Sequence, residues 1–202
     1  MLNNFCVFIL THNRHDRVYT YKTLRDKNYT GKIFIILDDE DKSYNEYVKL
    51  YKDQVIVFSK KEAEKTFDIG DNFNDRRAVV FARNACFNIA KKLNYKYFLV
   101  LDDDYTDFRW SFDNNKKYVT NKYIKNLNKI FEIMLNFYKK TSFTSICMAQ
   151  GGDFIGGAGS GLSQTFMNGQ ISRKIMNSFL CSTDRPFKFV GRINEDVNTY
   201  VQ

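Results

Sequence analysis

The sequence predicts an α/β fold, a mostly parallel central sheet flanked by helices. Two observations predict it. Short apolar runs of strand length alternate with amphipathic helical patterns through the first half of the chain, which is the rhythm of a doubly wound sheet. Polar or acidic clusters stand directly after several of those runs, and in such sheets ligands bind outside the carboxyl ends of the strands. The chain has 202 residues, and a domain usually spans roughly 100–200, so a single domain over 1–202 is expected. Its 44% apolar and 16% aromatic content supplies a core and excludes disorder, collagen and disulfide-scaffold classes.

Phe5–Leu10 reads as a buried strand ended by the polar Thr11-His12-Asn13-Arg14. A helix follows, with Asp16 as its cap, Val18, Tyr21 and Leu24 on one face, and Asn28–Gly31 as its stop. Lys32–Leu37 is the second strand, and Asp38-Asp39-Glu40-Asp41 sits at its end. Tyr44, Tyr47, Val48 and Tyr51 recur at helical spacing, and Gln54–Phe58 is the third strand. Residues 59–74 are polar and irregular. They lead into a long helix near Asp75–Leu93, whose expected inner face is Ala78, Ala82, Ala85, Cys86, Ile89 and Leu93. Tyr97–Leu101, the fourth strand, runs straight into Asp102-Asp103-Asp104. Loops 11–16, 38–41 and 102–107 therefore converge on one site.

The second half, 108–202, reads differently. Residues 113–140 carry seven lysines against Asp113 and Glu132, and Ile124, Leu127, Phe131, Met134, Leu135 and Tyr138 form an apolar stripe. That pattern predicts a helix whose basic face is either solvated or turned to phosphates. Thr144–Ala149 is a further strand candidate. Six of the ten glycines fall within Gly151–Gly161, consistent with a flexible loop or with close approach of backbone to a ligand. Net charge is +8, which favours a polyanionic partner through steering and counterion release.

No apolar run reaches the roughly 18 residues of a membrane helix, and Met1–Phe5 lacks the basic start of a secretory signal. A cytoplasmic chain with no membrane partner is expected. Cys6, Cys86, Cys147 and Cys181 lack paired metal or redox spacing and read as buried reduced thiols. His12 and His15 read as polar turn residues. Trp110 suits stacking on a base or sugar, or simple packing.

Three adjacent carboxylates at a strand end repel one another unless a cation sits among them. Oxygen-only ligands suit Mg²⁺ or Mn²⁺. In an extended segment Asp102 and Asp104 share a side and Asp103 points elsewhere. The competing reading is a solvated acidic turn. Neither a dinucleotide-binding glycine motif nor a P-loop is present. Asp102-Asp103-Asp104-Tyr105-Thr106 also matches the opening motif of haloacid dehalogenase-like phosphatases, which use its two outer aspartates but place it on their first strand. A non-catalytic DNA-binding protein would explain the charge but not the acidic triplet.

Arg76-Arg77-Ala78-Val79-Val80-Phe81-Ala82-Arg83-Asn84-Ala85, followed by Tyr97–Leu101 and Asp102-Asp103-Asp104, resembles the helix, strand and DxD block of GT-A glycosyltransferases, notably family 2. With Leu10–Arg14, Asp38–Asp41 and Ala149–Gly156, the whole chain is most similar to the TET-associated glycosyltransferases of phages. The resemblance implies a GT-A (Rossmann-like) nucleotide-diphospho-sugar transferase fold, with 1–107 binding a nucleotide sugar, UDP-linked, and 108–202 binding the acceptor. It implies Thr11 and Arg14 at the nucleotide, Asp38 or Asp39 at uracil or ribose, and Arg83 near the diphosphate with Arg76 and Arg77 in reach. It also implies Asp102 or Asp103 near the ribose, and Mn²⁺ or Mg²⁺ on Asp102 and Asp104.

Gly191-Arg192-Ile193-Asn194-Glu195-Asp196-Val197-Asn198 looks like the Glu-Asp element of inverting family 2 members. This implies Asp196 as general base with Glu195 as its neighbour or substitute. The competing reading is a carboxylate at a helix N-terminus. Gln202 falls barely two turns into that helix, consistent with a minimal enzyme or a C-terminally truncated one. The expected reaction is metal-dependent transfer of a sugar to a hydroxyl, with 5-hydroxymethylcytosine in DNA as the leading acceptor and the cytoplasm, the host's for a phage protein, as its place. Basic residues of 116–140 with Arg173, Arg185 and Lys188 are the expected phosphate contacts.

Overall fold

A computed structural model of the chain describes residues 2–200 apart from 72, 74, 77, 116–117 and 150–175. Arg77, Arg173, Lys116, Lys117 and the glycine-rich stretch Gly151–Gly161 lie outside the described residues. The first apolar run forms β1 (Phe5–Leu10), every residue of it buried. It pairs in parallel with β2 (Lys32–Asp38) on one side and β4 (Tyr97–Asp102) on the other, and β2 pairs in parallel with β3 (Val55–Phe58). The side chains of β1 alternate between two cores. Phe5, Val7 and Ile9 meet one and Cys6, Phe8 and Leu10 the other, so neither face of β1 meets water and the strand reads as a continuous apolar run.

Helices cover both faces. Those on the first core are α1 (Tyr19–Asp26), α2 (Tyr44–Tyr51) and α5 (Leu127–Lys139). On the second lie α3 (Lys60–Glu64) and α4 (Val80–Lys92). Asp16 does not cap α1. Its side chain is exposed, and α1 starts at Tyr19 with the Thr20 N–H donating 3.0 Å to the Asp103 carbonyl. The helix therefore begins against the acidic turn after β4, which satisfies an N–H that a side-chain cap would otherwise take. The stop is as expected, with Asn28 at φ 61°, a left-handed position that Asn tolerates.

Three expectations need correction. Residues 59–74 are not wholly irregular, because α3 follows Ser59 and Asp39 accepts a 3.0 Å hydrogen bond from the Lys60 N–H. The inner face of α4 is wider than the expected stripe, whose Cys86 and Ile89 are buried and whose Ala78, Ala82, Ala85 and Leu93 pack, partly buried, against the second core. Phe81, Arg83, Asn84, Cys86, Phe87, Ile89 and Ala90 are buried, while Ala82 and Ala85 are only half-buried. The reason is long-range. The segment leading to α6 (Glu195–Tyr200) packs over α4, and the Asn84 amide both donates to the Phe189 carbonyl (2.9 Å) and accepts from its N–H (3.0 Å).

Finally, β5 (Arg109–Phe112) pairs antiparallel with β6 (Tyr118–Tyr123) as a hairpin, and among the described residues of 113–140 only 127–139 is helical. The apolar stripe holds, with Leu127, Phe131, Leu135 and Tyr138 buried. The strand expected over 144–149 shrinks to β7 (Ser145–Ile146). It lies at the sheet edge beside β8 (Ser178–Ser182), which pairs antiparallel with β4. The order is thus β3-β2-β1-β4-β8-β7. All four cysteines are free, and Cys147 is half-buried rather than buried. Among the described residues no helix is long and apolar enough to cross a membrane.

Candidate active site

The parallel strands deliver their C-terminal ends to one side of the sheet, where a cleft of about 430 Å³ opens. Thr11, His12 and Arg14 line it after β1, Asp38 at the end of β2, Phe58 and Lys60 around the end of β3, and Asp102, Asp103 and Asp104 after β4. The three loops converge as the alternation of elements predicts. The start of α4 closes one wall with Ala78, Val79 and Ala82, small residues that leave room for a ligand.

Asp103 is buried and fully engaged. Thr11 Oγ1 donates to its Oδ2 at 2.6 Å and Arg14 Nη1 to its Oδ1 at 3.2 Å. Tyr47 OH lies 3.0 Å from Thr11 Oγ1 and accepts from the Arg14 N–H at 2.8 Å. Because the Thr11 hydroxyl proton is committed to Asp103, Tyr47 donates to Thr11, and the chain Arg14 N–H, Tyr47, Thr11, Asp103 runs in one direction. Thr20 fixes the same turn from below, donating to the Asp102 carbonyl at 2.6 Å and accepting from the Tyr105 N–H at 2.9 Å. Arg14 itself is 56% exposed, so most of its five donors stay open to the cleft.

Asp38 and Asp39 part company. Asp38 faces the cleft and is buried, accepting from His12 Nδ1 at 2.6 Å and from the Glu40 N–H at 3.0 Å, with Lys60 Nζ at 3.2 Å. Asp39, next along the strand, points the other way and holds the start of α3. Burial is the largest single influence on its carboxyl and raises it, but the hydrogen bonds from the Lys60 N–H, Ser59 and its own backbone, with the Lys60 charge, together bring it below the usual range. His12 Nδ1 donates to Asp38, and its Nε2 accepts from Asn13 Nδ2 at 2.8 Å. The His12 loop is thus part of the cleft wall. Lys60 was not legible as a site residue from its own type, though its position just past a strand end was a signal. Arg76 does not line the cleft and is paired with Glu40 (2.9 Å) and Glu64 (3.4 Å).

Arg83 lies behind the carboxylates, 2% exposed, and does not line the cleft. Its Nη1 pairs with Glu195, its Nη2 stands 3.9 Å from Asp102 Oδ1, and its guanidinium lies 5.0 Å from the Phe179 ring centroid and 5.7 Å from that of Phe189. Ala82-Arg83-Asn84 therefore anchors the C-terminal segment, Asn84 by its amide and Arg83 by its charge. Asp196, beside Glu195 in the first turn of α6, is buried and accepts from the Val197 N–H at 2.9 Å.

The structure brings Thr11, Arg14, Asp38, Asp102, Asp103 and Asp104 together in the cleft. Glu195 approaches through Arg83. Asp39 and Asp196 do not line the cleft.

Asp104 is exposed, and no hydrogen bond or ion pair ties it to the other described residues. It belongs to the rim of a second, larger cavity as well. That cavity, about 900 Å³, lies between the β5–β6 hairpin, α5 and β7, and its wall includes Phe108, Trp110, Ile133, Met134, Phe137 and Asn177. Two concavities of ligand-binding size, roughly 300–1,000 Å³, thus meet at one unpaired carboxylate.

Asp102 and Asp104 offer oxygen donors of the kind a hard divalent cation takes. Among the described residues no group of three or more His, Cys, Asp or Glu side chains could hold a metal. Two carboxylates suit Mg²⁺ or Mn²⁺ only if phosphate oxygens and water complete the shell, as is usual for substrate-bridged sites.

Burial raises the Asp102 carboxyl from 3.8 to about 6, opposed by Arg83 and reinforced by Asp104, Asp103 and Glu195. A carboxyl raised on folding contributes stability that is full below its unfolded pKa and is lost as pH rises through about 6. In EDTA, wild-type stability relative to Asp102→Asn is expected to fall by on the order of 2 kcal/mol between pH 4 and pH 8. Urea unfolding at both pH values checks this, and a pH-independent difference would refute it.

A family model described as TET-Associated Glycosyltransferase matches residues 5–202. No curated protein matches the chain.

Proposed function

The chain belongs to the TET-associated glycosyltransferase family, and on that premise we propose that it moves a sugar from a UDP-linked donor to the hydroxyl of 5-hydroxymethylcytosine in DNA. The observation that carries the proposal is the meeting of two cavities at Asp104. The 430 Å³ cleft takes the donor and the 900 Å³ cavity the acceptor, so that the transferred sugar sits between them.

Within the donor cleft, Arg14 binds the diphosphate with the guanidinium donors that Asp103 leaves open. Thr11 and Asp103 hold Arg14 in place, and Asp103 forms the wall beside the ribose. Asp38, with His12 and Lys60 hydrogen-bonded or paired to it, reads the base or ribose. Asp102 and Asp104 would hold Mn²⁺ or Mg²⁺, which when bound supplies charge neutralisation at the leaving diphosphate. Deprotonation of the acceptor hydroxyl falls to the Glu195–Asp196 pair. Glu195 is the member that shares the Arg83 guanidinium with Asp102, and Asp196 supports the first turn of α6. With a glycosyltransferase family established, the phosphatase and non-catalytic DNA-binding readings fall away.

Two measurements test the proposal. UDP and Mn²⁺ together are expected to raise the unfolding temperature by more than the sum of their separate effects, because each completes the other's site. Incubating hydroxymethylcytosine DNA with a panel of nucleotide sugars is expected to add one hexose mass per modified base. Transfer to a protein or glycan, with none to any modified DNA, would reject the acceptor.

A further inference from the structure

Resting on the DNA-acceptor reading, we propose that the second cavity receives the target base extruded from its stack, with Trp110 as the stacking platform. The cavity is concave, about 900 Å³, and begins at Asp104, the point at which the proposed function puts the transfer. Its wall gathers some of the large apolar side chains that the fold leaves most exposed: Trp110 is 48% exposed, Ile133 55% and Phe137 54%. Phe108 and Met134 extend that surface.

A paired base in duplex DNA shows only its edges. Its hydroxymethyl group projects into a groove about 12 Å wide and about 8.5 Å deep, and both of its faces are covered by neighbouring bases. Such a base has nothing to place against an apolar cavity wall, and a protein reading it would need a protruding element rather than a hollow. An unstacked base has two free faces, and an exposed indole beside the catalytic point is the surface that gains from them.

Charge commits the occupant to nucleic acid. Trp110 is paired across the two strands with Lys122, which puts both residues on one face of the ribbon. Asp104, Asp107 and Arg109 are the charged residues of the cavity wall itself, Arg109 paired with Asp107 through Nε at 2.7 Å and Nη2 at 2.8 Å, and the cations around it are Lys122, Lys125 and Lys129, all exposed, with Lys27, 5.8 Å from the Tyr123 ring centroid. Stacking surface bordered by cations is the arrangement that binds unpaired strands. Of the lysine-rich stretch, 118–123 and 127–139 lie on different sides of one cavity, the first as β6 and the second as α5.

Trp110 is the only tryptophan in the chain, so its fluorescence reports occupancy directly and without a sugar donor. Four oligonucleotides of one sequence serve as probes: a single strand with one 5-hydroxymethylcytosine, a duplex with that base mismatched, the fully paired duplex, and a single strand abasic at that position. The single strand and mismatched duplex are expected to quench Trp110 and to bind about tenfold or more tighter than the abasic strand, with the paired duplex weaker than the mismatched one. By anisotropy of a labelled strand, Trp110→Ala should lose that tenfold preference and Trp110→Phe should retain most of it.

Equal binding of the abasic strand, or paired duplex binding and reacting as well as single strand, overturns base extrusion while leaving DNA as the acceptor. Absence of sugar transfer to every DNA form, with transfer to a glycan or protein instead, removes the acceptor reading and this proposal with it.

Discussion

Asp104→Ala is expected to lower sugar transfer about a thousandfold or more while leaving the unfolding temperature of the metal-free protein unchanged. The side chain is exposed and bonded to none of the other described residues, and surface replacements of that kind usually stay within about 0.5 kcal/mol. Its value lies in position, on the rim shared by both cavities. On the proposed reading Asp104 would help hold a divalent cation, which would supply charge neutralisation at the leaving diphosphate worth several kcal/mol, and each 1.36 kcal/mol is about tenfold in rate. The cooperative thermal gain from UDP with Mn²⁺ should vanish in the same variant. Wild-type transfer rates in Asp104→Ala would remove the metal assignment.

Arg83→Met should destabilise the protein by about 3–5 kcal/mol, the usual cost of leaving buried charge without its partner. Total stability is commonly about 5–15 kcal/mol, so this is the most damaging single change expected. Arg83 is 2% exposed, with Glu195, 12% exposed, and Asp102, 28% exposed, at its two terminal nitrogens. Without the guanidinium the two carboxylates face each other and Asp102 moves further above its ordinary value, because Arg83 is the cause that lowers it. The deficit should therefore shrink as pH falls toward about 6, because Asp102 takes up its proton at a higher pH in the variant than in the wild type. The double variant Arg83→Met/Glu195→Gln should recover part of it. Urea unfolding at pH 8 and pH 5 checks both statements. A diphosphate ligand on the surface would behave oppositely, with stability unchanged and donor affinity reduced.

Much of the site is legible in the order of residues along the chain. Thr11, Arg14, Asp38 and Asp102–Asp104 each stand at the end of an apolar run, and in a parallel sheet strand ends gather on one side whatever the details of packing. The choice between Asp38 and Asp39 is not legible there. It depends on which face of β2 meets the cleft and on α3 arriving to use Asp39 as its anchor. Tyr47 reads as one more member of a helical stripe, and its hydroxyl becomes a link between Thr11 and Arg14 only because loop 11–16 packs against it.

Local apolar spacing and the residues that stop a strand or a helix are enough to set the alternating elements, the parallel core around β1 and the acidic turn after β4. Packing between distant segments is what makes Ala82-Arg83-Asn84 the anchor of the C-terminal segment, joins β8 to β4 antiparallel, and sets the β5–β6 strands and α5 around a second cavity. These are contacts between residues far apart in the chain, such as Arg83 with Glu195 and Asn84 with Phe189. Their energies depend on what is excluded from water when distant segments meet, and local spacing does not encode that.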